Sequence, residues 1–195
     1  MRSVLIFLGS LCLILPLTGV STSTVAASSD ALASIQRKLQ HIESNGKLTH
    51  PDQSPTTFSE QEIDAYLSSG GVKFPSGVRT VDFQEQPGIV IANSQIDFDQ
   101  LKAGINSSNP LLSMFSGVHD VIVNASAHGS GGKGFVHVNS ASLDGVLVPR
   151  FVLQLFVDKY LSPKYPQVGL DSEFDLPARI DTAVIGSHNL TITQK

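Results

Sequence analysis

The sequence predicts an α+β fold, in which a curved, mostly antiparallel sheet packs on an apolar helix and further helices lie near the N-terminus. Two observations predict the class. Helix candidates come early in the chain and strand candidates follow them, and one strongly apolar helix interrupts the strands. Helices segregated from runs of strands are typical of α+β proteins, whereas parallel sheets need strands and helices in alternation.

One strand and one helix in the second half of the chain form its centre. Residues 135–143 interleave bulky or β-branched side chains with small polar ones, as a strand with two unlike faces does. Asp144 and Gly145 then turn the chain. Pro149 suits the first position of a helix, because its φ is already set and its missing N–H would be unpaired there. We therefore predict a helix over 149–161.

The predicted helix is apolar around most of its circumference. On a helical wheel at about 100° per residue, Arg150, Gln154 and Asp158 form one narrow polar strip. An apolar arc this wide is typical of a helix that is buried on several sides, or that faces an apolar cavity or a membrane. If it faces a cavity, the ligand-binding residues are predicted to be Phe151, Val152, Leu155, Phe156 and Tyr160.

The N-terminus has the pattern of a signal peptide over residues 1–27. A short positive start is followed by an apolar run over 4–20 and by small residues ending at Ala27. The alternative is a retained anchor, but the run is at the short end for a bilayer core of about 30 Å. The pattern therefore predicts an exported protein, periplasmic or secreted.

Composition excludes several classes of function. The only cysteine, Cys12, lies inside the predicted signal peptide, so the remaining chain has no disulfide, thiol catalysis or cysteine metal site. The net charge is −4 without a clustered basic surface, which argues against nucleic acid as a partner. Charged residues make up only 15% of the chain, against about 25% in typical proteins, as in an exported β-rich protein.

The sequence is predicted to consist of three parts. The signal peptide is followed by an N-terminal helix and linker over 28–57, and then by a single α+β domain over 58–195. The helix candidate, 30–44, has one apolar stripe, and it either lies across the domain or forms a mobile arm. The segment 45–57 contains two prolines and no periodicity, which is typical of a linker.

The clearest local signal is a helix start at Ser59. Ser59 and Glu62 have the spacing of a capping box, and Phe58 and Ile63 that of a hydrophobic staple. The helix is predicted to run from Glu60 to about Ser69, where a pair of glycines ends it. Strands are predicted over 78–84 and 89–98 as a hairpin, then over 118–127, 171–176, 179–185 and 190–192, with 128–134 as a flexible connection.

Candidate catalytic or metal-binding residues do not form a recognisable motif. The glycine-rich segment 129–134 lacks the spacing of a phosphate-binding loop and precedes a strand instead of a helix. His119, His128 and His137 lie in one predicted hairpin, without the helical spacing of a histidine metal site. No serine stands in the nucleophile pattern of an α/β-hydrolase. We therefore expect no enzyme, no cofactor and no metal.

Several phrases carry a family resemblance: FSEQEIDAYL at 58–67, PSGV at 75–78, IDFD at 96–99, GFVHV at 134–138, LDGVLVP at 143–149 and FDLPARI at 174–180. Together they resemble an uncharacterised family of exported bacterial proteins, over about 58–193. Such proteins are similar to the tubular lipid-binding (TULIP-like) periplasmic families, in which a curved antiparallel sheet wraps a long apolar helix. The resemblance implies binding of a lipid or another apolar ligand, and it names no catalytic residue.

Two functions follow as hypotheses. The first is a non-enzymatic exported domain that binds a lipid or other apolar small molecule between its curved sheet and the helices that begin at Glu60 and Pro149. The second is a cell-envelope scaffold or assembly partner with a solid core, in which the helix 30–44 is the docking element. Peripheral contact with the envelope fits either hypothesis, and nucleic acid fits neither.

Overall fold

The computed structural model describes residues 22–103, 105 and 108–195, and their side chains from residue 28 onward. Within these ranges no helix is both long and apolar enough to cross a membrane. The helices are α1 Thr22–Asn45, α2 Glu60–Ser68, α3 Phe98–Leu101 and α4 Arg150–Phe156, which continues as a π-helix over Val157–Leu161, and a 3-10 turn covers Pro110–Leu112. The strands are β1 Thr56–Ser59, β2 Val78–Gln86, β3 Ile89–Asp97, β4 Val118–Ser130, β5 Lys133–Leu143, β6 Val146–Leu147, β7 Asp171–Asp175, β8 Ile180–Ile185 and β9 Asn189–Gln194.

These strands form one antiparallel sheet, which confirms the predicted α+β class. Its centre is the long hairpin of β4 and β5, in which Val121 lies opposite Leu143 and Ser130 opposite Lys133. On the outer side of β4, β3 pairs along most of the strand and β8 pairs near Gly129. On the outer side of β5, β7 pairs with the first half and β6 with the end. At one end of the sheet β2 pairs with β3. At the other end β9 pairs with β8, and β1 pairs with β9.

The hydrophobic core lies along one face of this sheet. Val121 and Ala127 are an even number of residues apart on β4, so both side chains point to the same face. Val121 belongs to the part of the core under α4, and Ala127 to the part under α1 and α2. On the opposite face Ile122 and Val184 are exposed. Such one-sided burial is common in antiparallel sheets.

The helix start at Ser59 confirms the sequence prediction. The amide of Glu62 donates to the Ser59 hydroxyl at 3.3 Å, and the amide of Ser59 donates to the Glu62 carboxylate at 2.8 Å. Phe58 and Ile63 are both buried in the same part of the core. Lys38 of α1 donates to the same carboxylate at 2.7 Å. This cap therefore fixes α2 against both β1 and α1.

The N-terminal helix packs across the sheet. The predicted helix 30–44 forms, within the longer α1, and its stripe of Ile35, Leu39 and Ile42 is buried. At its end the Asn45 side-chain amide donates to the Gln194 side chain at 2.8 Å, and that of Gln194 donates to the carbonyl of Ile42 at 2.8 Å. Both side chains are buried, so these bonds hold the end of α1 on β9.

Some predicted boundaries are wrong. The segment 45–57, predicted as a linker, ends in β1, which pairs with β9. The segment 128–134, predicted as a flexible connection, is mostly strand, because β4 continues to Ser130 and β5 begins at Lys133. Only Gly131 and Gly132, both with positive φ, make the turn. The predicted signal peptide, residues 1–27, lies outside the described residues up to position 21, and α1 begins inside its last part.

Candidate functional site

The apolar helix α4 forms immediately after Pro149, whose φ of −58° already suits a helix. Pro149 lies one position before the first helical residue, where we had expected it to be the first. The chain leaves the α-helical pattern after Phe156, and the amide of Ser162 donates to the carbonyl of Val157, five residues back, at 2.8 Å. The π-helical turn widens the helix locally. Tyr160 stays on the buried side through this change.

The structure divides the five predicted ligand-binding residues between two environments. Val152, Phe156 and Tyr160 point into the core and are at most 6% exposed. Phe151 is 60% exposed and Leu155 is 36% exposed, on the side of the helix away from the sheet. The predicted apolar arc is therefore present on the helix, but one part of it is buried in the core and the other part is exposed to solvent.

Aromatic side chains fill the space between α4 and the sheet. The ring of Phe156 lies 4.3 Å from that of Phe115, 5.5 Å from that of Phe98 and 5.2 Å from that of Tyr160, measured between centroids. Phe115 is only 1% exposed. Ring pairs at these separations pack favourably, beyond the area they bury. The chain's own side chains thus occupy the position in which a ligand was expected.

A groove of about 320 Å³ lies at the surface, where α4 begins beside β5. Its apolar lining comes from both elements and from the segment that joins β6 to α4. Arg150 is the one charged residue among the side chains that line it. The lining consists of Val138, Asn139, Ser140, Leu147, Val148, Pro149, Arg150 and Leu153.

The groove lies where the outer edge of β5 passes between two short strands. Within this gap the amide of Val138 donates to the carbonyl of Leu170 at 2.8 Å, and the amide of Val148 donates to the carbonyl of Ala141 at 2.9 Å. β7 pairs with β5 up to His137, and β6 pairs with it only from Ser142. Between them the chain leaves the sheet to form α4. A bulge lies in the same place, since Ser140 pairs with Asn124 and Val138 with the next residue of β4, which leaves Asn139 extra. Bulges bend a strand and re-aim its side chains, often beside functional sites.

The Asn139 side chain is held by the neighbouring strand. It donates to the Asn124 side-chain oxygen at 2.7 Å and to the Ser126 hydroxyl at 3.0 Å. These bonds fix the bulge in one conformation, so the floor of the groove is rigid on this side.

A cluster of charged and titratable side chains includes Arg150, the charged residue of the groove lining. Asp171 of β7 pairs in register with His137 of β5, and the His137 Nδ1 hydrogen-bonds to one oxygen of the carboxylate. Arg150 donates to the other oxygen at 2.6 Å and to the carbonyl of Val138 at 2.5 Å. The hydrogen bonds from His137 and then Arg150 hold the pKa of Asp171 below its ordinary value. Asp171 is therefore ionised at neutral pH.

A second cleft, of about 430 Å³, lies on another side of α4 and has a more polar lining. Tyr160 is the one predicted ligand-binding residue that borders it. Its other lining residues come from α3 and from the segment around the 3-10 turn: Asp99, Lys102, Ala103, Ile105, Ser108, Asn109, Pro110, Leu112 and Ser113.

Among the other histidines, His119 makes structural contacts. His119 hydrogen-bonds through Nδ1 to Asp144 at 2.6 Å and through Nε2 to the carbonyl of Ser116 at 2.8 Å. The hydrogen bond between His119 and the Asp144 carboxylate is the main reason that the pKa of His119 lies above its ordinary value. Among the described residues, no three histidine, cysteine, aspartate or glutamate side chains are close enough together to hold a metal ion.

Sequence reasoning did not find the residues that form the groove. Asn139 and Ser140 are part of the predicted strand, Leu153 is part of the predicted helix and Leu147 lies between the turn and that helix, but none of them is predicted to belong to a site. The two-residue strand β6 and the bulge were not predicted, and both depend on pairing with β5. One local signal was present, because Val146 and Leu147 are apolar residues directly after a turn that exposes them.

Comparisons with family models, curated proteins and solved structures found no match to this chain.

Proposed function

We propose that this protein is an exported, non-enzymatic domain that binds a lipid or another apolar ligand between its sheet and α4. The ligand lies in the groove beside the bulge at Asn139. The observation that carries the proposal is the apolar lining of that groove at the outer edge of β5, where Val138, Leu147 and Leu153 come from three different segments. The closely packed rings around Phe156 favour this surface position over the interior.

The size of the groove suits one acyl chain. Its volume of about 320 Å³ is at the lower end of the range for small-molecule pockets. Each buried methylene contributes about 0.8 kcal/mol, so about ten of them give micromolar affinity before the cost of ordering the chain. A short acyl chain is therefore sufficient as a ligand.

Exposed apolar side chains next to the groove extend this surface. Leu147 is 70% exposed and lines the groove, and Val146 beside it is 65% exposed. Contiguous apolar exposure of this kind is typical of binding surfaces.

The arrangement of the polar groups supports binding rather than catalysis. The His137 and Asp171 pair resembles two members of a hydrolytic triad, but within the described part of the chain no serine hydroxyl hydrogen-bonds to His137. A nucleophile held by such a base is what acyl transfer needs. Arg150 joins the pair instead and ties it to the backbone of β5.

Leu147→Glu tests this proposal. The substitution places a carboxylate in the groove lining, and we expect it to weaken uptake of the fluorescent apolar probe N-phenyl-1-naphthylamine at least about tenfold, because the bound probe would cover the carboxylate and remove part of its hydration. Val184→Glu is the matched control, since Val184 is also exposed, at 56%, but lies on β8 away from the groove. Equal uptake by both variants, each folded by circular dichroism, would contradict the proposal.

A scaffold with a solid core is the second candidate, and the filled space around Phe115 favours it. The helix 30–44 is not available as the docking element while its apolar stripe is buried on the sheet. The exposed strip of Val146, Leu147, Phe151 and Leu155 is the alternative docking surface. Phe151→Glu separates the two functions because Phe151 does not line the groove. If the protein is a scaffold, the Phe151→Glu variant should no longer be cross-linked to a partner of the cell envelope. Its uptake of N-phenyl-1-naphthylamine in the groove should stay within about twofold of the wild type.

A further inference from the structure

The groove carries one formal positive charge in its lining, and that charge is already matched. Arg150 is the only charged residue of the lining, and its guanidinium donates to Asp171 at 2.6 Å. His137 binds the other oxygen of the same carboxylate. The arginine cannot therefore act as a free cation toward a second anion in the groove.

An anionic head group at this position would meet two opposing charges. It would be attracted by Arg150, but it would also lie next to the Asp171 carboxylate, which accepts from the same guanidinium at 2.6 Å. Two negative charges side by side repel each other. An uncharged oxygen has no such conflict. The guanidinium has five N–H donors, of which the bonds to Asp171 and to the carbonyl of Val138 use two, so donors remain for a neutral acceptor.

We propose that Asp171 is a specificity-determining residue, which makes the groove selective for amphiphiles with an uncharged, oxygen-bearing head group and excludes those with a carboxylate head. The inference rests on the proposed function, because it requires that an apolar chain occupies the groove. Fatty alcohols and monoacylglycerols belong to the accepted class, and fatty acid anions belong to the rejected class.

The probes that test this are 1-decanol and decanoate, which have the same chain length and differ in the charge of the head group at pH 8. Each is titrated against N-phenyl-1-naphthylamine bound to the full protein. We expect the wild type to bind 1-decanol at least about tenfold more tightly than decanoate, because only decanoate meets the Asp171 charge.

Asp171→Asn is expected to remove this preference. It removes the opposing carboxylate and leaves the Arg150 charge unmatched, so affinity for decanoate should rise at least about tenfold while affinity for 1-decanol stays within about twofold. Asp158→Asn is the matched control, since it makes the same change of charge at an exposed position of α4 outside the groove. Adding Arg150→Gln to Asp171→Asn should remove the gain for decanoate.

The outcomes separate this inference from the function on which it rests. Equal binding of decanoate and 1-decanol by the wild type, or a decanoate affinity that Asp171→Asn does not change, would overturn the charge selectivity alone. Absence of binding of the probe and of both decyl compounds to every variant would overturn the proposed function, and the selectivity with it.

Discussion

At the scale of single residues, Glu85 has the least favourable surroundings. It lies on β2, is 3% exposed, and neither of its carboxylate oxygens has a hydrogen-bond partner within the described residues. Burial raises the pKa of Glu85 above its ordinary value near 4.5, and the negative charges of Glu60 and Asp64 on α2 raise it further. The backbone of Glu85 itself and, after it, His188 lower the pKa by smaller amounts. The folded protein therefore binds the Glu85 proton more tightly than the unfolded chain does.

This predicts how stability depends on pH. Over the range from about 4.5 upward to the raised pKa, the folded protein keeps a proton on Glu85 that the unfolded chain has lost. The free energy of unfolding therefore falls as pH rises through this range. Glu85→Gln removes the titration, and we expect it to raise the free energy of unfolding at pH 8 by about 1 kcal/mol.

Urea denaturation of the wild type and of Glu85→Gln between pH 4 and pH 8 measures this difference. Asp120→Asn on β4 is the control, because Asp120 is exposed and does not contribute to the pKa shift of Glu85. A Glu85→Gln variant that follows the wild-type profile across this range would show that Glu85 is ionised in the folded protein.

At the scale of secondary-structure elements, the two faces of α4 give a direct comparison. Phe156 and Phe151 are the same residue type on one helix, but Phe156 is 6% exposed and Phe151 is 60% exposed. Phe156→Ala should lower the free energy of unfolding by about 3–5 kcal/mol, because it opens a cavity next to Phe98 and Phe115. Phe151→Ala should change it by less than about 0.5 kcal/mol.

Thermal or urea unfolding of both alanine variants checks this prediction. The two substitutions remove the same atoms from one helix, so the difference between them reports burial and not helix propensity. Similar losses of stability in both variants would mean that Phe151 is also buried in solution, for example by a second copy of the chain.

The elements that the sequence could predict are those whose signals are local. The capping box at Ser59 needs only four consecutive residues, and the hairpin of β2 and β3 needs only its strands and the turn at Gly88, which has a φ of +72°. By contrast, β1 is four residues long and pairs with β9, whose partner residues lie more than a hundred positions away in the chain. Nothing in its own residues specifies that pairing.

The candidate site could be predicted only in part for the same reason. A helical wheel identifies the apolar arc of α4, but it cannot tell which part of that arc meets the sheet. That depends on the aromatic rings of Phe98 and Phe115, which come from distant segments. The groove depends on the bulge at Asn139 and on the gap between β6 and β7, and both are properties of strand pairing.

At the scale of the whole molecule, the chain is a sheet with one covered face. Helices α1, α2 and α4 lie along that face, where one hydrophobic cluster contains Ile42 under α1 and α2 and another contains Phe156 under α4. The core contains the well-packed rings around Phe115 and leaves the groove at its margin, at the outer edge of β5. A rigid body with a marginal groove can bind a ligand without unfolding any element.

Native mass spectrometry can show whether an apolar ligand occupies this groove. The protein is purified without detergent from a host that exports it. We expect the protein to carry an additional mass, which extracts into organic solvent as a lipid or other apolar compound. That mass should be lost in Ser140→Trp, whose side chain fills the groove, and kept in Ser187→Trp, in the exposed turn before β9. A protein mass without ligand, unchanged after incubation with lipids of the host, would contradict the account.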